Sequence, residues 1–260
     1  MREDINIKGS HTLPQFSPSH KKGDFFMQKN KPQNNNQEVK ELVTAALFCA
    51  LAYVATLITA WIKVGFLTFD IKDAVIAIAG LVLGPIYTII ISLIVSTIEI
   101  IVIPETGFWG FLMNFLSTAA FSFFCALIYK YKKDLVGAIL GLVASIFSMT
   151  LMMVLLNLVV TPIYTGMPVE TIAPMIPTLF LPFNFTKAVL NAALVLMLYK
   201  PISRALKATK MTLSDNKSKK LSTKSKVLRY IIIYSVGAIL VAASICVLIF
   251  ALPGEFTFFQ

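Results

Sequence analysis

Long apolar runs alternate with short polar segments along most of the chain. A run of about 20 apolar residues, at 1.5 Å per residue in a helix, matches the ~30 Å hydrocarbon core of a bilayer. The sequence therefore predicts an all-α membrane protein. The predicted helices lie near Val39–Ile62, Asp73–Leu83, Pro85–Val102, Phe108–Lys130, Leu135–Val160, Pro182–Leu198 and Lys226–Leu252.

The second predicted helix, Asp73–Leu83, is too short to cross a bilayer unaided. We expect it to cross nevertheless, extended by the preceding loop or buried among its neighbours, because helix ends covered by protein need not match the bilayer thickness. The first six helices then form a compact six-helix transmembrane bundle, followed by one additional C-terminal transmembrane helix. The predicted segments are a disordered cytoplasmic polar tail (1–38), the six-helix core (39–207), a basic cytoplasmic linker (208–225) and the additional helix with a short extracellular tail (226–260).

Basic residues favour one orientation in the membrane, because lysine and arginine collect in cytoplasmic loops. The loop after the fourth predicted helix carries Lys132 and Lys133, whereas the loops at 104–107 and 162–181 contain no lysine or arginine. The sequence therefore predicts a multi-pass protein of a bacterial cell membrane with a cytoplasmic N-terminus. The basic residues between the last two helices agree with this orientation: Arg204, Lys207, Lys210, Lys217, Lys219 and Lys220.

Composition supports the membrane class and excludes several kinds of function. The chain is 57% hydrophobic and 14% charged, which a water-soluble globule would not tolerate. Its net charge of +10 falls mostly beside apolar helices, so we expect a lipid bilayer and not nucleic acid as its partner. No phosphate-binding loop, metal-spaced Cys/His cluster or serine elbow is present, and both histidines lie in the polar tail. We therefore expect no enzymatic activity, no metal site and no cofactor.

Polar residues at membrane depth are costly, which makes them candidates for a binding site. The strongest cluster lies in the sixth predicted helix, where spacings of three and seven place Asn184, Lys187 and Asn191 on one face. Lys187 could instead extend its ammonium group to the lipid headgroups. A position near the outer, N-terminal end of the helix opposes both the positive-inside bias and the helix dipole, so a ligand role is favoured.

Four further residues near the outer end of the bundle are candidates. Asn157 in the fifth predicted helix would lie at the depth of Asn184, although an interhelical hydrogen bond between the two asparagines would also explain them. Glu99 and Asn114 either face the same cavity or form a buried, satisfied pair. Phe69, in the loop before the second predicted helix, either covers a planar ligand or belongs to the interfacial aromatic belt.

The order of these features resembles one known family, the substrate-binding S components of energy-coupling factor (ECF) vitamin transporters, and among them the riboflavin-binding type. The resemblance covers about residues 41–207. Its marks are Phe69–Asp73 leading into Gly80–Pro85, then Gly107–Phe115, and finally Asn157–Tyr164 with the Asn184/Lys187 pair. The long polar tail and the last helix depart from the minimal form of the family.

The resemblance implies a binding subunit that joins a transmembrane T component and two ABC-type ATPases, and that has no enzymatic activity of its own. In riboflavin binders the ring is held by asparagines of the fifth and sixth helices and by a lysine, and these roles fall here on Asn157, Asn184 and Lys187. Members of the family dock their T component through small residues of the first helix. Ala46 and Ala50, four positions apart, are such residues here.

The chemistry of riboflavin fits the candidate residues. Its pyrimidine edge offers an imide N–H between two carbonyls, which carboxamides can match, and the vitamin is neutral. A thiamine binder would be expected to show several carboxylates and a folate binder more than one basic group, whereas this cavity offers Glu99 and Lys187 once each. Riboflavin is therefore favoured, with FMN left open and another vitamin as the next choice. Two other classes are an ion-coupled secondary transporter with Glu99 as its coupling carboxylate, and a membrane-embedded enzyme.

Overall fold

The computed structural model describes residues 35–60, 63–64, 67–102, 107–208 and 223–250 of the chain. The predicted tail up to residue 34, most of the basic linker and the residues after 250 lie outside this range. The described elements are α1 (Asn35–Thr59), β1 (Lys63–Val64), β2 (Leu67–Thr68), α2 (Lys72–Leu83), α3 (Pro85–Val102), α4 (Gly107–Tyr131), α5 (Leu135–Thr165), α6 (Val169–Ile172), a π-helical turn (Ile176–Phe180), α7 (Leu181–Ala208) and α8 (Thr223–Phe250).

All seven predicted helices are present, and the predicted sixth and seventh helices correspond to α7 and α8. α2 rises only about 18 Å over its 12 residues, which is less than the thickness of a bilayer. It is instead surrounded by α1, α3, α4 and α7, and nine of its residues are buried. Six stretches of the described chain are long and apolar enough to cross a membrane: residues 37–59, 85–102, 107–131, 135–165, 169–202 and 230–247.

Helix boundaries differ from the predicted ones at several places. α1 begins at Asn35, so the last residues of the predicted polar tail are helical. α5 continues through Pro162, and α7 continues through Pro201. Proline predicts the end of a helix in water, but membrane helices tolerate it where neighbouring groups satisfy the freed backbone carbonyls. α5 ends only at Thr165, where Gly166 follows with a left-handed φ of 71°.

α2 lies in close contact with α3 and α4 at Gly80. A Cβ atom at this position would lie 2.2 Å from Thr88 Cγ2 and 2.8 Å from the Cβ of Ala126. Only glycine allows three helices to meet this closely, as small residues do at other membrane helix contacts. The short helix is therefore fixed inside the bundle by its neighbours.

α8 packs along α7, outside the six helices that form the core. A Cβ atom at Gly237 would lie 2.6 Å from Met197 Cγ, and the Lys200 ammonium lies 4.5 Å from the centroid of the Tyr230 ring. These contacts join the two helices through close packing and a cation–π interaction. The opposite face of α8 is apolar and exposed, as at Ile239.

Short elements lie where the sequence predicts only loops. β1 and β2 form an antiparallel hairpin in which Lys63 pairs with Thr68. α6 and the π-helical turn connect α5 to α7, and their residues Ile172 and Phe180 are fully buried in a hydrophobic cluster that includes Leu67. The hairpin and this connection therefore share one small core beside the start of α7.

Candidate ligand-binding site

A cavity with about 640 Å³ of empty space, counting its open mouth, lies where the hairpin, the starts of α4 and α7 and the end of α5 meet. We call this the pocket end of the bundle. The wall combines amide, hydroxyl and ammonium groups with aliphatic and aromatic side chains: Leu67, Thr68, Gly110, Met113, Asn114, Met153, Asn157, Tyr164, Phe183, Asn184 and Lys187.

The two asparagines predicted to hold a ligand both line this cavity, and each donates to a backbone carbonyl four residues earlier. The amide nitrogen of Asn157 donates to the Met153 carbonyl at 2.7 Å, and that of Asn184 donates to the Phe180 carbonyl at 2.8 Å. An interhelical bond between the two is not among the hydrogen bonds of the described residues. Asn184 Oδ1 has no hydrogen-bond donor among those residues either, so it can accept a hydrogen bond from a ligand.

Lys187 lines the cavity and forms a buried ion pair. Its Nζ donates to Asp70 Oδ2 at 2.8 Å, and the whole residue is only 5% exposed, so its ammonium does not extend to the headgroups. Burial alone would raise the pKa of Asp70, but the charges of Lys187 and then Lys72 hold that pKa below its ordinary value. A ligand and a lipid headgroup were the two expected partners of Lys187, whereas its partner in the structure is a carboxylate.

Glu99 lies behind the cavity wall, and the ammonium of Lys72 neutralises its charge. The ammonium of Lys72, a fully buried residue, is 2.5 Å from Glu99 Oε2 and 3.8 Å from Asp70 Oδ2. Asn114 lines the cavity, and its Nδ2 is 3.4 Å from Glu99 Oε1, which is longer than a normal hydrogen bond. The expected Glu99–Asn114 pair is therefore weak, and the main partner of Glu99 is Lys72.

Asn191 has a structural position, although the sequence places it on the face of Asn184 and Lys187. Its Oδ1 accepts from the Ala74 amide at 3.0 Å, and its Nδ2 donates to the carbonyls of Asp70 at 3.1 Å and Lys187 at 3.0 Å. The residue is completely buried and does not line the cavity. Its amide group ties the start of α2 to α7, and its expected contact with a ligand stays a prediction.

Phe69 supports the cavity from behind. Its ring stands edge-on to the ring of Phe183, with centroids 6.1 Å apart and an interplanar angle of 89°. Phe183 lines the cavity, whereas Phe69 is buried and does not. Phe69 belongs to the small core at the pocket end, and its expected contact with a planar ligand stays a prediction.

Sequence reasoning missed the charged segment that supports the site. Asp70, Lys72 and Asp73 precede and begin α2, and all three are buried. Charged residues at a helix start usually lie in water, so the pattern alone suggests an interfacial loop. The useful signal is the density of charge, with three charged residues within four positions beside an apolar run. Such residues need charged or polar partners when they are buried in the bundle. The hydroxyls of Thr68 and Tyr164 had no sequence signal.

Ala46 and Ala50, the predicted docking residues, do not line the cavity. Both are exposed on the outer face of α1, beside the exposed side chains of Leu47 and Val54. The opposite face of α1 is buried at Phe48 and Ala52. The small residues therefore lie on an apolar outer surface.

A comparison with known protein families agrees with this architecture. The family described as "ECF transporter, substrate-specific component" matches residues 40–199 of the chain. These residues include all the cavity-lining side chains and exclude α8.

Two individual proteins are also similar to the chain. The riboflavin transporter RibU of Staphylococcus aureus (strain TCH60) is 29% identical over 182 residues, which cover 66% of this chain and 95% of that protein. A solved structure of the S component of a bacterial ECF transporter is 28% identical, with a TM-score of 0.55, and the match covers 65% of this chain and 99% of that one. The similarity therefore includes nearly the whole of each relative.

Proposed function

Because the chain belongs to the family of substrate-specific S components of ECF transporters, we propose that its cavity binds riboflavin and that the chain delivers the vitamin inward. The family consists of transport subunits and not of enzymes, and the chain is a multi-pass membrane protein. S components bind a vitamin and work with a T component and ATPases, so the energy for transport comes from partner subunits. The name of the RibU relative supports riboflavin as the vitamin.

The cavity wall supports a ligand that is neutral, flat and polar along one edge. The carboxamides of Asn114, Asn157 and Asn184 can pair with the imide N–H and carbonyls of a pyrimidine edge, while Met113 and Met153 can pack on a methylated ring. Lys187 is already neutralised by Asp70, so a ligand needs no charge of its own. The open oxygen of Asn184 is the single observation that favours a donor such as the imide N–H.

The orientation of the bundle is part of this proposal. Lys132 and Lys133 lie at the end opposite the pocket end, beyond α4. The positive-inside rule then places the cavity mouth outside the cell and the N-terminus in the cytoplasm. Glu99 does not favour the ion-coupled alternative, because its carboxylate is already paired with Lys72.

The decisive experiment is to purify the chain and record its visible absorption spectrum. We expect the protein from riboflavin-supplied cells to be yellow, because a tightly held flavin survives purification. Protein from starved cells should be colourless and should quench the fluorescence of added riboflavin with a 1:1 end point. The same titration with FMN, thiamine and folate measures selectivity. If the folded chain binds one of these other ligands but not riboflavin, the family assignment would stand and the assignment of riboflavin would be wrong.

A second experiment separates α8 from the binding core. We expect a chain that ends at Thr209 to bind riboflavin with unchanged affinity, because all the cavity-lining residues precede α8. Its thermal unfolding temperature should fall, since the face of α7 at Met197 loses its packing partner. Fluorescence titration and thermal unfolding in detergent measure the two effects.

A point variant provides the control for this truncation. Gly237→Leu should loosen α8 without removing it, because its Cβ alone would approach Met197 Cγ to 2.6 Å. The matched variant Ala238→Leu adds the same bulk on the exposed face and should leave stability unchanged. Loss of binding in a truncated chain that still folds would mean that α8 helps to build the site.

A further inference from the structure

The carboxamide of Asn157 is held at both ends by groups of α5. Its Nδ2 donates to the Met153 carbonyl at 2.7 Å, and its Oδ1 accepts from the Thr161 hydroxyl at 3.1 Å. A backbone carbonyl can only accept a hydrogen bond, so the end of the amide that faces Met153 has to be the nitrogen. The oxygen end is therefore the one that faces Thr161.

Thr161 differs in its hydrogen bond from six other hydroxyl residues of the bundle. These residues lie on α1, α3 and α5 and donate to the backbone carbonyl four positions earlier: Thr44, Thr56, Thr59, Thr97, Ser145 and Thr165. A backbone carbonyl of this kind is the usual partner of a hydroxyl within a helix. The Thr161 hydroxyl bonds instead to the side chain of the residue four positions earlier. Its partner is therefore a cavity-lining group and not the backbone.

Thr161 can act on a ligand only through other side chains. It is 2% exposed and does not line the cavity, whereas Asn157 does. The phenol of Tyr164, which also lines the cavity, interacts with the Thr161 side chain, and a phenol O–H can donate to the hydroxyl oxygen. A substitution at Thr161 therefore changes no group that a ligand touches directly.

The second asparagine of the cavity shows what the Thr161 contact adds. Asn184 also donates from Nδ2 to a backbone carbonyl four positions earlier, that of Phe180 at 2.8 Å. Its Oδ1 has no donor within the described part of the chain, so this oxygen can accept from a ligand. Asn157, in contrast, has partners within the protein at both ends of its amide. Of the two amides, that of Asn157 is the more completely preorganised.

We propose that Thr161 is a positioning residue of the binding site, whose hydroxyl sets the direction of the Asn157 carboxamide for an incoming ligand. The amide still offers one N–H on its Met153 side and one oxygen lone pair on its Thr161 side. A ligand that fits carries an acceptor beside a donor, as the riboflavin imide does with its carbonyl and N–H. The identity of that ligand rests on the function proposed above, whereas the direction of the amide does not.

The Thr161 contact is suited to orienting the amide and not to holding the bundle together. Its length of 3.1 Å is slightly beyond the range of about 2.5 to 3.0 Å for hydroxyl donors, so we expect a small contribution to stability. The contact joins two residues one turn apart on the same helix, and no packing between helices depends on it. Its removal leaves the buried oxygen of Asn157 without this donor, and the amide is then free to turn.

Carbon NMR of the ligand-free, full-length protein tests the contact directly. With a carbon-13 label at Cγ of asparagine, the Asn157 signal is the one that is lost in Asn157→Ala. We expect Thr161→Val, which keeps the shape of the side chain, to move this signal, because the carbonyl loses a hydrogen-bond donor. Thr161→Ser should leave it near its wild-type position, and Thr161→Ala repeats the test if valine prevents folding. An unmoved signal would overturn the proposal, and the hydroxyl would then serve Tyr164 alone.

Riboflavin titration measures the effect on binding. Thr161→Val should weaken affinity about threefold to tenfold, as expected for the loss of one orienting hydrogen bond, and Thr161→Ser should restore most of it. The matched control is Thr150→Val. This variant removes another buried hydroxyl from α5, one that has no hydrogen-bond partner among the described residues and does not line the cavity. The control should leave both the Asn157 signal and the affinity unchanged, and equal weakening by both valine variants would overturn the specific role of Thr161.

The carbonyl bands of bound riboflavin separate positioning from a general loss of structure. In infrared difference spectra, Thr161→Val should move a flavin C=O stretching band to higher frequency, because the Asn157 N–H no longer points at that carbonyl. Weaker binding with unmoved bands would make Thr161 a structural residue and overturn its positioning role. If the wild type binds FMN, thiamine or folate and not riboflavin, the proposed function is wrong in its vitamin. The carbon NMR, and the same titrations with the ligand that binds, then still decide the role of Thr161.

Discussion

Lys187→Ala is expected to weaken riboflavin binding at least tenfold and to destabilise the ligand-free protein as well. A buried polar edge of the ligand that loses its partner costs roughly 1 to 3 kcal/mol, and 1.4 kcal/mol is already tenfold in affinity. The same change leaves Asp70 without its 2.8 Å partner. Removal of one member of a buried ion pair typically costs about 3 to 5 kcal/mol of stability.

Comparison with other variants separates the ligand contact from the ion pair. Lys187→Met combined with Asp70→Asn removes both charges and should recover much of the stability while binding stays weak. Asn184→Ala should weaken binding at least tenfold with a small effect on stability, because among the described residues its side chain bonds only to the Phe180 carbonyl four residues earlier. Lys200→Ala is the matched lysine control, since Lys200 lies on α7 against Tyr230 and away from the cavity.

Fluorescence titration of riboflavin and thermal unfolding in detergent measure these effects on the same samples. If affinity follows stability in every variant, Lys187 acts only as a structural residue. Unchanged affinity in both Lys187→Ala and Asn184→Ala would remove the site assignment while leaving the family intact.

Ala46→Leu combined with Ala50→Leu is expected to abolish riboflavin uptake by cells and to leave the affinity in detergent nearly unchanged. Both alanines are exposed on the outer face of α1, so leucine fits there without disturbing the core. Helices in membranes approach each other closely at small residues, and two leucines would hold a partner helix away. We therefore expect the T component to lose its contact while the cavity stays intact.

The control for this variant adds the same bulk elsewhere. Ala242→Leu with Ala243→Leu enlarges two exposed alanines on α8 and should leave both uptake and affinity unchanged. Radiolabelled riboflavin uptake in cells that also produce the T component and the ATPases provides the measurement. Uptake that survives the α1 substitutions would mean that the T component docks on another face.

Hydropathy was sufficient to predict the helices of this chain but not how its connections fold. The membrane helices follow from the length of their apolar runs, which depends only on composition within each run. The extension of α5 past Pro162 could not be predicted, because it depends on neighbours that satisfy the backbone around the proline. The hairpin and α6 were missed since their packing comes from contacts with the start of α7.

The candidate site was predictable where a polar residue lies within an apolar run. Asn157, Asn184 and Lys187 were recognised in this way, and all three line one cavity. Their partners were not predictable, since Asp70 and Lys187 are 117 positions apart and nothing in either segment specifies the pairing. Asn191 lies on the same helical face but away from the cavity, because a shared face does not reveal whether an amide meets the cavity or the backbone.

The charged start of α2 also sets the order in which the protein can be assembled during synthesis. Glu99, the partner of Lys72, is synthesised 27 residues later, whereas Lys187, the partner of Asp70, is synthesised only with α7. Until α7 has been made and inserted, the Asp70 carboxylate lacks Lys187. The helix α2, which is too short to span the bilayer, also lacks one of the helices that surround it. We therefore expect the bundle to close around α2 only after α7 has been made, so that a nascent chain that stops before Lys187 would hold an incomplete membrane domain.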